Sequence, residues 1–146
     1  ADEPVSALDV SVQAQILNLI LDLRDRMGLT ILFISHDLNV VQKICDRVAV
    51  VYLGVVVEEA SKEELFTHTA HPYTKALMDV KPIEHPSLRT DKQILMGDIP
   101  SAVNVKEGCR FAGRCPRCEK GLCDVVTPPL VEISPEHKAA CHHPLQ

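Results

Sequence analysis

The sequence predicts an α/β fold followed by a small, irregular, metal-stapled extension, on three observations. A helical repeat of apolar residues beginning near Val10 leads into the apolar run 31–34, which reads as a strand buried on both faces of a parallel sheet covered by helices. Two β-branched runs, 47–52 and 55–58, flank Leu53-Gly54 and read as a hairpin. The last 38 residues then replace apolar periodicity with five cysteines.

Composition limits what such a chain can do. Its 146 residues leave room for one domain or two small ones. With 46% apolar but only 3% aromatic residues, burial must rest on Val, Ile and Leu. A formal net charge of −5 argues against a nucleic-acid partner, which requires a basic surface. The longest apolar run, 48–57, falls well short of the roughly 20 residues of a membrane helix. The acidic start has neither the basic nor the apolar region of a signal peptide, so the expected location is cytoplasmic. In that reducing setting six cysteines point to metal ligands or core thiols rather than disulfides.

Taken in order, the first predicted element is a helix from about Val10 to Met27, with Val12, Ile16, Leu19, Ile20 and Leu23 on its buried face, Asp9 as N-cap by residue type and Gly28 at its end. After the strand at 30–34, residues 37–45 are expected to form a second helix directing Leu38, Val41 and Ile44 inward, with Cys45 a core thiol. Ser61 and Glu64 read as a capping box for a brief helix, and Pro72 as the first turn of another carrying Tyr73, Ala76, Leu77 and Val80. His71 and Tyr73 are read as packing residues. Residues 81–104, with Pro82, Pro86 and Pro100, are expected to be a linker or an irregular wrap.

Two short motifs carry the chemistry. Asp2-Glu3-Pro4 places adjacent carboxylates before a proline, which stops a helix or central strand, so the acids belong at an edge where one suits Mg²⁺ and the other a water molecule. Ser35-His36-Asp37 follows the apolar run. Together with Val5-Ser6-Ala7-Leu8-Asp9, these stretches resemble the Walker B end, D-loop and switch histidine of ABC-type ATPases. The string His71-Pro72-Tyr73-Thr74-Lys75-Ala76-Leu77 resembles the start of the C-terminal extension in ATPase subunits of oligopeptide and dipeptide importers. That resemblance implies ATP and Mg²⁺ as cofactors. It implies Asp2 as the residue holding Mg²⁺ through water, Glu3 as the residue polarising the attacking water, and His36 as a hydrogen-bond partner of the γ-phosphate. Ser6 and Asp9 would lie at the nucleotide-bearing interface between two such domains. One departure is Val55, which stands where the family often has an arginine.

The cysteines at 109, 115, 118, 123 and 141 give C-x5-C-x2-C-x4-C-x17-C. So small a polar segment cannot build its own core without a staple. A zinc ribbon favours paired C-x2-C knuckles and only Cys115 and Cys118 form one, whereas spread cysteines, one followed by Pro116, are closer to ferredoxin-type ligation; both metals stay open. Gly108-Cys109-Arg110-Phe111, Arg114-Cys115-Pro116, Pro128-Pro129-Leu130 and His137-Lys138-Ala139-Ala140-Cys141 resemble the cysteine module of the same importer subunits. By that resemblance Cys109, Cys115, Cys123 and Cys141 hold a [4Fe-4S] cluster, with Zn²⁺ the alternative. The family usually has six residues between the second and third ligands, against seven here, and Cys118 offers a rival third ligand.

The resemblance divides the chain into 1–66, the C-terminal part of a nucleotide-binding domain, and 67–146, the extension. The sequence holds no G-x-x-x-x-G-K-S/T loop, Q-loop glutamine or Leu-Ser-Gly-Gly-Gln signature, so it reads as a fragment that is inactive alone, because the phosphate-cradling backbone is missing. The implied partners are a second ATPase subunit, membrane-spanning permease subunits and, indirectly, an extracytoplasmic solute-binding protein, with the subunit peripheral on the cytoplasmic face of the membrane. Alternatives are a nickel or other small-solute importer of the same subfamily, a repair- or translation-type ABC ATPase, and a metal-stapled interaction domain with inert ATPase remnants.

Overall fold

The computed structural model describes residues 1–79 and 107–145; the stretch expected to be a linker, 81–104, lies outside the described residues. The chain separates into two compact units, Ala1–Asp46 and Arg47–Gln146. The hairpin shares its core with the residues that follow it.

In the first unit, α1 spans Val10–Met27. The Asp9 carboxylate caps it, accepting from the N–H groups of Ser11 (3.1 Å) and Val12 (3.0 Å). Gly28, left-handed at φ 63, ends it and returns its N–H to the Arg24 carbonyl. A second helix, α2, covers Leu38–Ile44 behind the Asp37 cap. The small core joins Val5, Leu17 and Val40, with Ile16, Phe33 and Ile44 packed against it. The expected inward face of α1 is only partly realised, since Leu19 and Leu23 are exposed and Leu17 is buried in their place.

The strand expected at 30–34 is reduced to a single parallel bridge between Asp2 and Ile34. Ala1 donates to the Leu32 carbonyl, Ile34 to that of Ala1 and Glu3 to that of Ile34. That run is not buried on both faces, because Leu32 is 80% and Ile34 51% exposed.

The second unit holds an antiparallel sheet that includes the expected hairpin. Its strands β1 (Arg47–Tyr52), β2 (Val55–Ser61), β3 (Val131–Ser134) and β4 (His137–Ala139) run in the order β1-β2-β4-β3 with every pairing antiparallel. Leu53 and Gly54, both at positive φ (46 and 80), make the tight turn whose twist suits a two-residue hairpin. The Ser61 hydroxyl caps α3 (Lys62–Thr67) by accepting from the Glu64 N–H at 3.3 Å. Pro72 opens α4 (Pro72–Asp79). Phe111, buried near a 3₁₀ turn at Ala112–Arg114, joins Val50, Tyr52, Val57, Ala60 and Leu65 in one core, with Tyr73 and Leu77 packed against it. Among the described residues, the extension completes the core of the hairpin. Only 3% of the chain is aromatic, yet Tyr52, Tyr73 and Phe111 pack here in tilted and edge-to-face contacts with ring centroids 4.6–5.4 Å apart.

Candidate functional sites

The acidic edge is built by the parallel bridge. Pairing residues 1–3 with 32–34 brings Glu3 and His36 to the same end, where His36 Nδ1 meets Glu3 Oε1 at 2.8 Å. Both side chains stay exposed, at 76% for His36 and 47% for Glu3. The hydrogen bond and charge of Glu3 raise the His36 pKa above its ordinary value and favour imidazolium. Glu3 itself lies in the left-handed region, φ 42, directly before Pro4, a conformation costly for a residue with a Cβ and of a kind that concentrates at functional sites. No pattern in the sequence signalled this backbone geometry. Asp2 is exposed beside it at the bridge. The Ser6 hydroxyl donates to the Glu3 carbonyl at 3.1 Å, bracing the turn. Asp9 Oδ1 also accepts from the Ser11 hydroxyl at 2.7 Å, and that bond leads the causes holding its carboxyl below the usual range.

In the second unit a loop brings the distant cysteines together. Cys109 N donates to the Cys123 carbonyl at 2.7 Å, and this close approach requires Gly108, whose missing Cβ would lie 2.6 Å from the Asp124 carbonyl carbon. Cys109, Cys115, Cys123 and Cys141 line one cavity with His71 and Phe111. Cys118 is not among its lining residues. Each of the four sulfurs faces backbone N–H groups: those of Phe111 and Ala112 for Cys109, of Arg117 for Cys115, of Glu119 at 3.4 Å for Cys123 and of His143 at 3.4 Å for Cys141.

The expected metal centre, a [4Fe-4S] cluster or Zn²⁺, is not supported as a formed site. Among the described residues no group of three or more His, Cys, Asp or Glu is placed to hold a metal ion, and the enclosed space is about 10 Å³, room for a single water. What the structure holds is the donor set. Burial pushes the Cys115 thiol up to about 11 and raises Cys109 and Cys141. Protonated thiols pack together as small apolar groups, and only a cation among them makes thiolates favourable. The four donors suit a thiolate-held group by their chemistry, although their spacing forms no single-ion site.

The sequence reading missed a buried polar network beside this cavity. The fully buried Glu58 carboxylate accepts from Ala70 N (2.7 Å) and His71 N (2.9 Å), and it contacts His137 Nε2 at 2.7 Å. Glu64, read as half of a capping box, turns instead to His68 Nδ1 at 3.1 Å and to the Ser134 hydroxyl at 3.4 Å. The imidazole of His71 is wholly buried, and desolvation lowers its pKa to about 4, so the ring is neutral.

Residues 57–123 match the family described as the oligopeptide/dipeptide transporter C-terminal region. Over 97% of its length the chain is 55% identical to a Brucella ovis protein named for peptide import and ATP binding, covering 44% of that protein. It is 47% identical to the oligopeptide transport ATP-binding protein AppF of Bacillus subtilis, covering 44% of it, and 47% identical to the dipeptide transport ATP-binding protein DppF of Haemophilus influenzae, covering 43%. The chain thus spans less than half the length of these relatives. Among the described residues no helix is long and apolar enough to cross a membrane.

Proposed function

From the similarity to ATP-binding proteins of oligopeptide and dipeptide transport, we propose that the chain is part of such a protein and that residues 1–46 supply the hydrolytic edge of a peptide-importing ABC-type ATPase. The observation that carries this reading is the 2.8 Å contact between two exposed groups, Glu3 and His36, at the end of a parallel bridge. Asp2 would hold Mg²⁺, which supplies charge neutralisation to the phosphates. Glu3 would accept the proton of the attacking water. His36 would orient the Glu3 carboxylate and hydrogen-bond the γ-phosphate, where developing charge is stabilised. Ser6 and Asp9 would border the nucleotide where two ATPase subunits meet. The partners on this reading are that second subunit and membrane-spanning permeases, with the protein peripheral at the cytoplasmic face. In the full-length protein, Glu3→Gln should leave ATP binding intact and slow turnover by about 10² or more. Unchanged phosphate release in that variant removes the assignment.

For the second unit we infer that Cys109, Cys115, Cys123 and Cys141 hold a metal group, a [4Fe-4S] cluster ahead of Zn²⁺. Support comes from the donor set itself, four cysteines that line one cavity and have backbone N–H groups facing their sulfurs. Ligands of a cluster each bind their own iron and need not converge on one ion. Anaerobic reconstitution of the full-length protein should give about four irons per chain, retained in Cys118→Ala and lost in Cys109→Ala. Zinc uptake with no iron, under the same iron supply, removes the cluster.

A further inference from the structure

We propose that Cys118 and Cys123 are a redox-modifiable pair, which a low-molecular-weight disulfide such as oxidised glutathione converts into an internal disulfide. The inference is independent of the metal reading of the other cysteines, with which it shares only Cys123. It rests first on the turn between the two residues. Cys123 N donates to the Glu119 carbonyl at 2.9 Å, and Gly121, left-handed at φ 86, lets the chain fold back within a single turn. The Glu119 N–H donates to Cys123 Sγ at 3.4 Å, so that sulfur sits against the peptide bond that follows Cys118. Cys118 Cα, about 2.4 Å from that nitrogen, is therefore within about 6 Å of the Cys123 sulfur, the short separation that a disulfide needs. The two thiols also meet through a side-chain hydrogen bond. Among the described residues no such bond joins the sulfurs of Cys109, Cys115 and Cys141 to another thiol; they face backbone N–H groups instead.

Exposure sets the order of events. Cys118 is half-buried and lies outside the lining of the cysteine cavity, whereas Cys123 is 7% exposed and lines it. A reagent reaches Cys118 and not Cys123. The Cys118 thiolate attacks one sulfur of the reagent, breaking its S–S bond, and the thiolate that leaves takes up the proton Cys118 lost. Cys123, having given up its own proton, then attacks the Cys118 sulfur of the mixed disulfide and releases the second thiol. Two electrons pass from the protein dithiol to the reagent, which departs as two thiols. Burial, with the neighbouring Cys123 and the Asp124 carboxylate, raises the Cys118 thiol above its ordinary value, so the exchange quickens as pH is raised.

The test uses full-length protein, freshly reduced, freed of reductant and exposed to oxidised glutathione in mildly alkaline buffer. Free thiols are then alkylated and the protein is cut with trypsin, which leaves Cys118 on residues 118–120 and Cys123 on residues 121–138, with Cys109, Cys115 and Cys141 each on a further peptide. Mass spectrometry should find the first two peptides joined as the dominant product and released by reductant. Cys123→Ser should stop the reaction at glutathione bound to Cys118, and Cys118→Ser should leave Cys123 alkylated. Dominant joining of any other pair, lasting glutathione on Cys118 of the wild type, or alkylation of both thiols overturns the proposal, and so does a link found only in covalent dimers. If Cys123→Ser fails to fold, the wild-type peptide map decides alone.

Discussion

Two Glu–His pairs with nearly equal contact distances occupy the two units. Glu3 and His36 meet at 2.8 Å with 47% and 76% of their side chains exposed; Glu58 and His137 meet at 2.7 Å with 0% and 1% exposed. The first pair can exchange protons with water and admit a third group. The second has no such access, and its carboxylate is already filled by the N–H groups of Ala70 and His71. Distance alone does not separate a site from a staple; solvent access and the number of committed partners do. The same contrast runs through the cores. The first unit rests on a small aliphatic core around Val5, Leu17 and Val40 and presents Leu32 and Ile34 to solvent, while the second encloses an aromatic cluster.

Removing the buried staple should give the largest effect. Glu58→Ala leaves three buried donors without an acceptor at about 1–3 kcal/mol each, so destabilisation of roughly 5 kcal/mol is expected. Hydrogen exchange should show it across β1–β4 while residues 1–46 keep their protection. Equal loss in both units breaks the comparison. A smaller effect should fall on the other side. Asp9→Ala removes the α1 cap and costs about 1 kcal/mol, read as faster exchange at Ser11 and Val12 with the sheet untouched.

The subtlest test is the pH response of the exposed pair. Glu3 raises the pKa of His36 above 6.5, first by its hydrogen bond and then by its charge. Folded protein therefore binds a proton that unfolded protein has already released at the same pH. The stabilisation is complete below the unfolded value and is lost as pH rises through the folded one. Ring-proton titration by nuclear magnetic resonance should place the His36 midpoint above 6.5, and Glu3→Gln should return it to about that value. A midpoint indifferent to Glu3 denies that the pair exists in solution.

Local chemistry was readable from the sequence wherever one residue type forces one geometry. The bounds of α1, the caps at Asp9 and Ser61, the Leu53-Gly54 turn and the start of α4 at Pro72 are all present. Relations fixed by distant partners were not readable. Glu58, at the end of a β-branched run, looks like the residue where a strand meets water, yet its partner His137 lies 79 residues further on, between Cys123 and Cys141. Residues 31–34 look buried on both faces because apolar pattern reports what a segment can cover, not what lies over it. The cysteine spacing left Cys118 and Cys123 as rivals, and their different places relative to the cavity follow from a backbone approach at Gly108 that no spacing encodes.

The contact between Glu58 and His137 spans 79 residues of chain. As the polypeptide is synthesised, the β1–β2 hairpin and the turn at Ala70 and His71 exist long before β4 does, so Glu58 can gather its two backbone donors early and must wait for the third. Closing a loop of that length costs roughly 4 kcal/mol of chain entropy, and contacts of such separation are slow to form. Addition of β4 is thus the closing step of this unit's folding. Until residues 137–139 arrive, the edge of β2 stands unpaired, and the nascent chain is most exposed to mispairing with its neighbours during that interval.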